Sequence, residues 1–132
     1  KKNINIDQKI LSKNEEIKIF YTKYVTQNIN DFRNKKIISF AGIGDPENFF
    51  NLLKDNMINV VEKISFPDHY KYSNNDLENL INKKKEENTI LLTTEKDFLR
   101  IDKRFQEHIS FLKIKVKIEN EDIFINEIKK II

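Results

Sequence analysis

Hydrophobic residues come in short runs along this chain, each closed by turn or capping residues. Ile37-Ile38-Ser39-Phe40-Ala41 is an apolar run ended by Gly42 and Gly44, which predicts a buried strand. Asp45 is a good helix N-cap, Pro46 suits the first helical position, and Glu47 favours the positive helix end. Phe49, Phe50, Leu52 and Leu53 then give one apolar face at helical spacing. Ile58, Val60, Ile64 and Phe66 predict a second strand, interrupted on its apolar side by Glu62 and ended by Pro67. Ser73 and Asp76 have capping-box spacing ahead of Leu77, Leu80 and Ile81, and that helix decays into Lys83-Lys84-Lys85-Glu86-Glu87. Ile90-Leu91-Leu92 predicts a third strand, after which Thr94 and Asp97 repeat the capping-box spacing before a short helix through Phe98, Leu99 and Ile101.

The two ends read less evenly. Residues 1–16 are Asn/Lys-rich with little periodicity and are expected to form a polar tail or linker, leaving 17–132 as one α/β domain. Alternation around 17–25 predicts a strand, and 26–35 a polar turn region. Leu112, Ile114, Val116 and Ile118 alternate with Lys113, Lys115 and Lys117, which predicts a last strand with one buried and one wet face. A final helix from about Asp122 is expected to bury Phe124, Ile128 and Ile131. Strands alternating with helices predict an α/β fold, a three-layer sandwich with a mostly parallel sheet. In such folds functional groups gather at the carboxyl ends of strands. Three segments fall there: Gly42 to Pro46, Asp68 to Tyr70, and Thr93 to Asp97.

Composition narrows the chemistry. The 132 residues have no cysteine and two histidines, which argues against disulfides, thiolate metal sites and a multi-histidine metal centre. Twenty-four basic residues against 21 acidic ones leave a net charge of +3 with the signs interleaved. The basic residues are mostly lysine, a poor bidentate reader of bases, so no nucleic-acid partner is expected. No apolar run approaches the ~20 residues that span a bilayer, and the piece is expected to be soluble. The chain opens on Lys1 and is expected to be a fragment, a processed product or a trimmed piece.

The Gly42-Ile43-Gly44 segment could be a phosphate loop, but the dinucleotide fingerprint needs a third glycine where Glu47 stands, and Asp45 and Glu47 repel phosphate. Structural punctuation is the favoured reading. The His69 imidazole could move a proton or orient a carboxylate that does so; the alternative is a surface histidine beside a turn-forming Asp68. Lys96 could bind phosphate as a point charge, or Thr94, Glu95, Lys96 and Asp97 could simply be a capped helix start. The chain contains neither a Walker A loop nor a nucleophile elbow or zinc motif.

In combination these segments resemble the C-terminal half of the tetraacyldisaccharide 4′-kinase, or lipid A 4′-kinase, family. The resemblance rests on Ala41 to Phe50, Asp68-His69, Asp76-Leu77 and Thr94 to Asp97, in that order and spacing, and covers about residues 37–100. It implies a P-loop-kinase-like C-terminal domain without the P-loop half. It also implies transfer of the ATP γ-phosphate to the 4′-hydroxyl of a tetraacyldisaccharide 1-phosphate. The implied setting is the cytoplasmic face of the bacterial inner membrane, held peripherally through the full-length protein. ATP and magnesium are expected on the N-terminal P-loop domain, so no cofactor or metal ligand is assigned in this chain. By the same resemblance His69 works with a base from that domain; Asp68 and Thr94 to Asp97 gain less and shape the cleft. The alternatives are a non-catalytic interaction module left from a split or truncated kinase, and an independent nucleotide-binding protein.

Overall fold

A computed structural model describes residues 3–132. In chain order the elements are α1 (Ile4–Leu11), β1 (Thr22–Thr26), a 3-10 turn (Ile29–Phe32), β2 (Lys36–Ala41), α2 (Pro46–Asp55), β3 (Val60–Ser65) and α3 (Asn74–Asn82). They continue with β4 (Thr89–Thr94), α4 (Glu95–Phe98), α5 (Lys103–Gln106), β5 (Ile109–Leu112), β6 (Ile114–Ile118) and α6 (Glu121–Ile131). Two compact units result: Thr26–Ile114, and the described residues up to Val25 together with Lys115–Ile132.

The Thr26–Ile114 unit is the α/β sandwich. Its four strands run in the order β3-β2-β4-β5 and every neighbouring pair is parallel. Ile38 sits level with Leu91, Phe40 with Ile64, and Leu92 with Ser110. Successive strand residues point to opposite faces, so β2 divides its apolar run between two cores. Ile37 and Ala41 join Leu92, Leu112 and the α2 residues Phe49, Phe50 and Leu53 on one face. Ile38 and Phe40 join Leu91, Ile109 and the α3 residues Leu77 and Leu80 on the other. Phe50, Leu53 and Phe40 are wholly buried, and burying each such side chain stabilises the fold by about 1.5–3 kcal/mol. The chain crosses from β2 to β3 through α2, then back past β2 to β4 through α3. Crossovers in opposite directions with one handedness must use opposite faces, as they do here. The winding therefore reverses between β2 and β4, the place where α/β sheets open a crevice at their carboxyl edge.

Capping follows the sequence closely. Asp45 accepts the Asn48 N–H at 3.3 Å ahead of Pro46, and the Ser73/Asp76 capping box is complete in both directions. β3 is an edge strand, so Glu62 costs nothing on its apolar side: it reaches solvent and pairs with Lys83 at 2.6 Å.

At several places the structure differs from the expectations. Residues 4–11, expected within a polar tail, form α1; Asn3 caps it by accepting the Ile6 N–H, and the Tyr21 hydroxyl bonds Asp7. Of the expected 17–25 strand only 22–25 is strand, β1 running Thr22–Thr26 against an equally short partner, β6. The expected turn region 26–35 contains the 3-10 turn whose Ile29 and Phe32 are buried. The single strand predicted over 112–118 is two strands in different sheets: Leu112 ends β5, while Ile114–Ile118 pairs with β1 in a two-stranded sheet. That small sheet buries no face, and Val116 remains 53% exposed. Phe124 of α6 packs edge-on against Phe20 at 5.1 Å, but Ile128 and Ile131 are exposed rather than buried. The short helix ends at Phe98; Leu99 lies beyond it at 73% exposure, and α5 follows.

Candidate functional site

The carboxyl edge of the parallel sheet brings all three predicted segments together. Gly42 follows β2 directly, and the parallel ladder extends one step past the strands, with Phe66 N–H donating to Ala41 O at 2.8 Å. This continuation carries Pro67, Asp68 and His69 alongside the Gly42 turn. The His69 N–H donates to Gly42 O at 3.1 Å and to the Asp68 Oδ1 at 2.9 Å. Across the switch point Asp97, at the start of α4, accepts the Gly42 N–H on its Oδ2 at 3.0 Å. Both backbone polar groups of Gly42 are thus engaged by residues from neighbouring strand ends.

Asp97 does more than close a capping box. Thr94 Oγ1 accepts the Asp97 N–H at 3.1 Å, which is the expected N-cap. The Asp97 carboxylate turns into the protein, where it is wholly buried. It takes the Gly42 N–H, the Thr94 hydroxyl at 2.8 Å, and an ion pair with Arg100. The same Arg100 Nη2 donates to Gly42 O at 2.9 Å. The crevice expected between β2 and β4 is therefore occupied by an internal Asp97–Gly42–Arg100 lock. Arg100 escaped the sequence reading; its one signal is the Asp97/Arg100 spacing of three, which puts both side chains on the same helical side.

The lock explains Gly42. A Cβ there would lie 3.0 Å from Tyr72 Oη, 3.2 Å from Tyr70 Cβ and 3.3 Å from Asp97 Oδ1. Gly42 is required by close approach, not by a phosphate. Burial, then the adjacent Asp97 charge, pushes the Tyr72 phenol far above its usual range. Tyr72 Oη and Arg100 Nη1 are buried without a hydrogen-bond partner.

The Asp68–His69 turn sits on the open rim. His69 has φ 56°, the left-handed region, which costs a non-glycine residue about 1–3 kcal/mol and persists only where surroundings impose it. Tyr70 helps impose it: its ring lies 4.8 Å from Phe66 and 5.4 Å from Tyr72, and its hydroxyl donates to Asp76 at 3.1 Å. The bond to Asp76, then burial, raises the Tyr70 phenol, while the Ser73 bonds hold the Asp76 carboxyl below the usual range. The His69 imidazole is 71% exposed, and its Nε2 stays 3.7 Å from Asp68 Oδ2, beyond hydrogen-bond reach. A fixed backbone thus presents a largely exposed imidazole beside the Asp68 carboxylate. Glu95 and Lys96 are exposed on the first turn of α4. His108 lies apart, after α5, beside Glu107.

Elsewhere, a shallow groove at the amino ends of β2 and β4 is internally neutralised by Lys36–Glu86 and Lys83–Glu62, both at 2.6 Å. Among the described residues no group of three or more His, Cys, Asp or Glu converges to hold a metal ion. No helix among them is long and apolar enough to cross a membrane.

A family model described as tetraacyldisaccharide-1-P 4′-kinase matches residues 2–132. The tetraacyldisaccharide 4′-kinase of Pelagibacter ubique is 33% identical over 129 residues, covering 97% of this chain and 41% of that protein. That of Rickettsia akari is 36% identical, covering 92% of this chain and 39% of its own length. A solved structure, the "apo" form of LpxK from Aquifex aeolicus in complex with ATP, superposes with a TM-score of 0.55 at 28% identity. It covers 91% of this chain and 40% of that one. The chain spans about two fifths of the length of the curated relatives it matches.

Proposed function

Because the chain belongs to the tetraacyldisaccharide-1-P 4′-kinase family, we propose that it is the C-terminal domain of a lipid A 4′-kinase. That enzyme transfers the γ-phosphate of ATP to the 4′-hydroxyl of a tetraacyldisaccharide 1-phosphate. The full-length protein sits peripherally on the cytoplasmic face of the inner membrane, where its acylated substrate resides.

The residues present do not fit ATP phosphates or magnesium. Asp45 and Glu47 flank the glycine turn, its Gly42 amide is already taken by Asp97, and no carboxylate cluster for a metal is formed among the described residues. Those groups belong, in this reading, to an N-terminal P-loop domain in the remaining length of the relatives. What this chain contributes is positional. Phosphoryl transfer depends on placing the attacking hydroxyl and stabilising charge more than on covalent chemistry. His69 meets the carboxylate base of the P-loop domain across the cleft. A hydrogen bond from the imidazole holds that carboxylate toward the 4′-hydroxyl and tunes its basicity. Asp68 fixes the turn, and Glu95 and Lys96 line the cleft wall, Lys96 as a point charge within reach of phosphate.

The observation supporting this reading is the exposed His69 imidazole on a pinned, left-handed backbone at the sheet's carboxyl rim. The test is steady-state kinetics of the full-length enzyme with ATP, magnesium and the acyldisaccharide phosphate. His69→Ala is expected to lower kcat on the order of 100-fold, the lower bound for positioned acid–base groups, with a smaller change in KM. Unchanged kcat would remove the cross-cleft role.

A further inference from the structure

We propose that Arg100 is a positioning residue for His69, acting at a distance through the Gly42 carbonyl. This rests on the role given to His69 above. Gly42 O accepts two N–H donors, one from Arg100 Nη2 at 2.9 Å and one from the His69 backbone at 3.1 Å. The Gly42 N–H is held from the other side by the wholly buried Asp97, itself paired with Arg100. Asp97 and Arg100 thus hold both backbone polar groups of Gly42, one in each of the two peptide units that flank its Cα, and the held carbonyl fixes the amide of His69.

The clamp matters because of what it holds. A histidine at φ 56° does not stay there by intrinsic preference; the bonds to its amide select that conformation over extended alternatives. The imidazole has 71% of its side chain in solvent and no hydrogen bond to Asp68, whose Oδ2 stands 3.7 Å from its Nε2. Its direction is set almost entirely by its backbone. Releasing the carbonyl of Gly42 from Arg100 lets the strand-end peptide rotate, and the His69 amide loses its fixed acceptor. A displacement of about 1 Å in a catalytic constellation can cost on the order of 100-fold in rate. Arg100 is suited to the task because one guanidinium serves carbonyl and carboxylate together in a fixed plane, which a lysine cannot do.

The experiment is a double-mutant cycle on the full-length enzyme with wild type, Arg100→Gln, His69→Ala and the double variant, reading kcat and KM, with amide hydrogen exchange over residues 40–44 and 66–72. Arg100→Gln is expected to lower kcat about tenfold or more in the wild-type background and to have almost no effect in the His69→Ala background. It is also expected to speed exchange of the Gly42 and His69 amides about tenfold while leaving β4 unchanged. An equal kcat loss in both backgrounds overturns the proposal, since Arg100 would then act without His69. If His69→Ala leaves kcat unchanged, the reading of His69 has failed. The exchange arm then decides the clamp separately: unchanged protection of the His69 amide overturns it, and faster exchange supports it. Should Arg100→Gln not fold, Arg100→Lys, which keeps the cation but not the planar fork, is read in the same cycle with the same outcomes.

Discussion

Replacing Asp97 with alanine tests the lock at the switch point most directly. The wholly buried Asp97 carboxylate accepts the Gly42 N–H at 3.0 Å and the Thr94 hydroxyl at 2.8 Å, and it pairs with Arg100. Alanine leaves the Gly42 N–H buried without its acceptor, a loss of about 1–3 kcal/mol. It also leaves Arg100 without its carboxylate, and breaking a buried pair from one side costs about 3–5 kcal/mol in all. The Arg100 side chain keeps 26% exposure, so water recovers part of that charge and the lower end applies. The α4 N-cap itself survives the substitution, because the N–H of residue 97 still donates to Thr94 Oγ1; only the Thr94 hydroxyl's bond to the carboxylate is lost. The expected destabilisation is about 3 kcal/mol, a fall in Tm of roughly 12 °C at ~4 °C per kcal/mol for a chain of this size. Thermal and urea unfolding followed by circular dichroism at neutral pH measure it. Arg100→Met in the Asp97→Ala background is expected to recover about 1–2 kcal/mol, since the stranded charge is then gone. A loss below about 1 kcal/mol for Asp97→Ala, or a strictly additive double variant, would refute the lock.

Gly42→Ala is expected to destabilise the chain by about 1–2 kcal/mol through overpacking against Tyr72 Oη at 3.0 Å, Tyr70 Cβ at 3.2 Å and Asp97 Oδ1 at 3.3 Å, and Tyr72→Phe, which deletes the nearest of these atoms, to relieve part of that loss in the double variant. Urea midpoints of the four proteins check this, and a double variant no better than Gly42→Ala sinks it. The Asp76 carboxyl is held below the ordinary 3.8 by Ser73, so its folded-state pKa is depressed. Its stabilisation is present above pH 3.8 and is lost as pH falls through the folded-state value. The stability gap between wild type and Asp76→Asn is therefore expected to be flat from neutral pH down to about 5 and to close below about 4. Urea unfolding across that range measures it, and a gap that widens in acid contradicts the capping role.

Much of the sandwich was legible because its signals are local. The apolar run at 37–41, the Asp45-Pro46 start, the complete Ser73/Asp76 box and the stop at Pro67 are short-range chemistry, and the parallel α/β reading followed from their alternation. The three site segments were placed at strand ends for the same reason. The ends of the chain were less legible. Alternation over 112–118 says that a backbone is extended but not which neighbour it pairs with, and the apolar stripe of α6 does not say what, if anything, covers it.

The use of each glycine and carboxylate at the site was decided only in three dimensions. Thr94 and Asp97 read as a capping box, and half of it forms; the Asp97 side chain instead crosses 55 residues of sequence to Gly42, because strand order puts β2 beside β4. Arg100 carried only its spacing of three from Asp97 as a signal, since its other partner is a carbonyl 58 residues back. The sequence by itself determined the elements, their caps and the rim on which His69 stands, all set by interactions within a few residues. Only the tertiary structure decided that the crevice is filled by an ion pair and that the His69 backbone hangs from Gly42, because those bonds join strand ends that meet only when the sheet assembles.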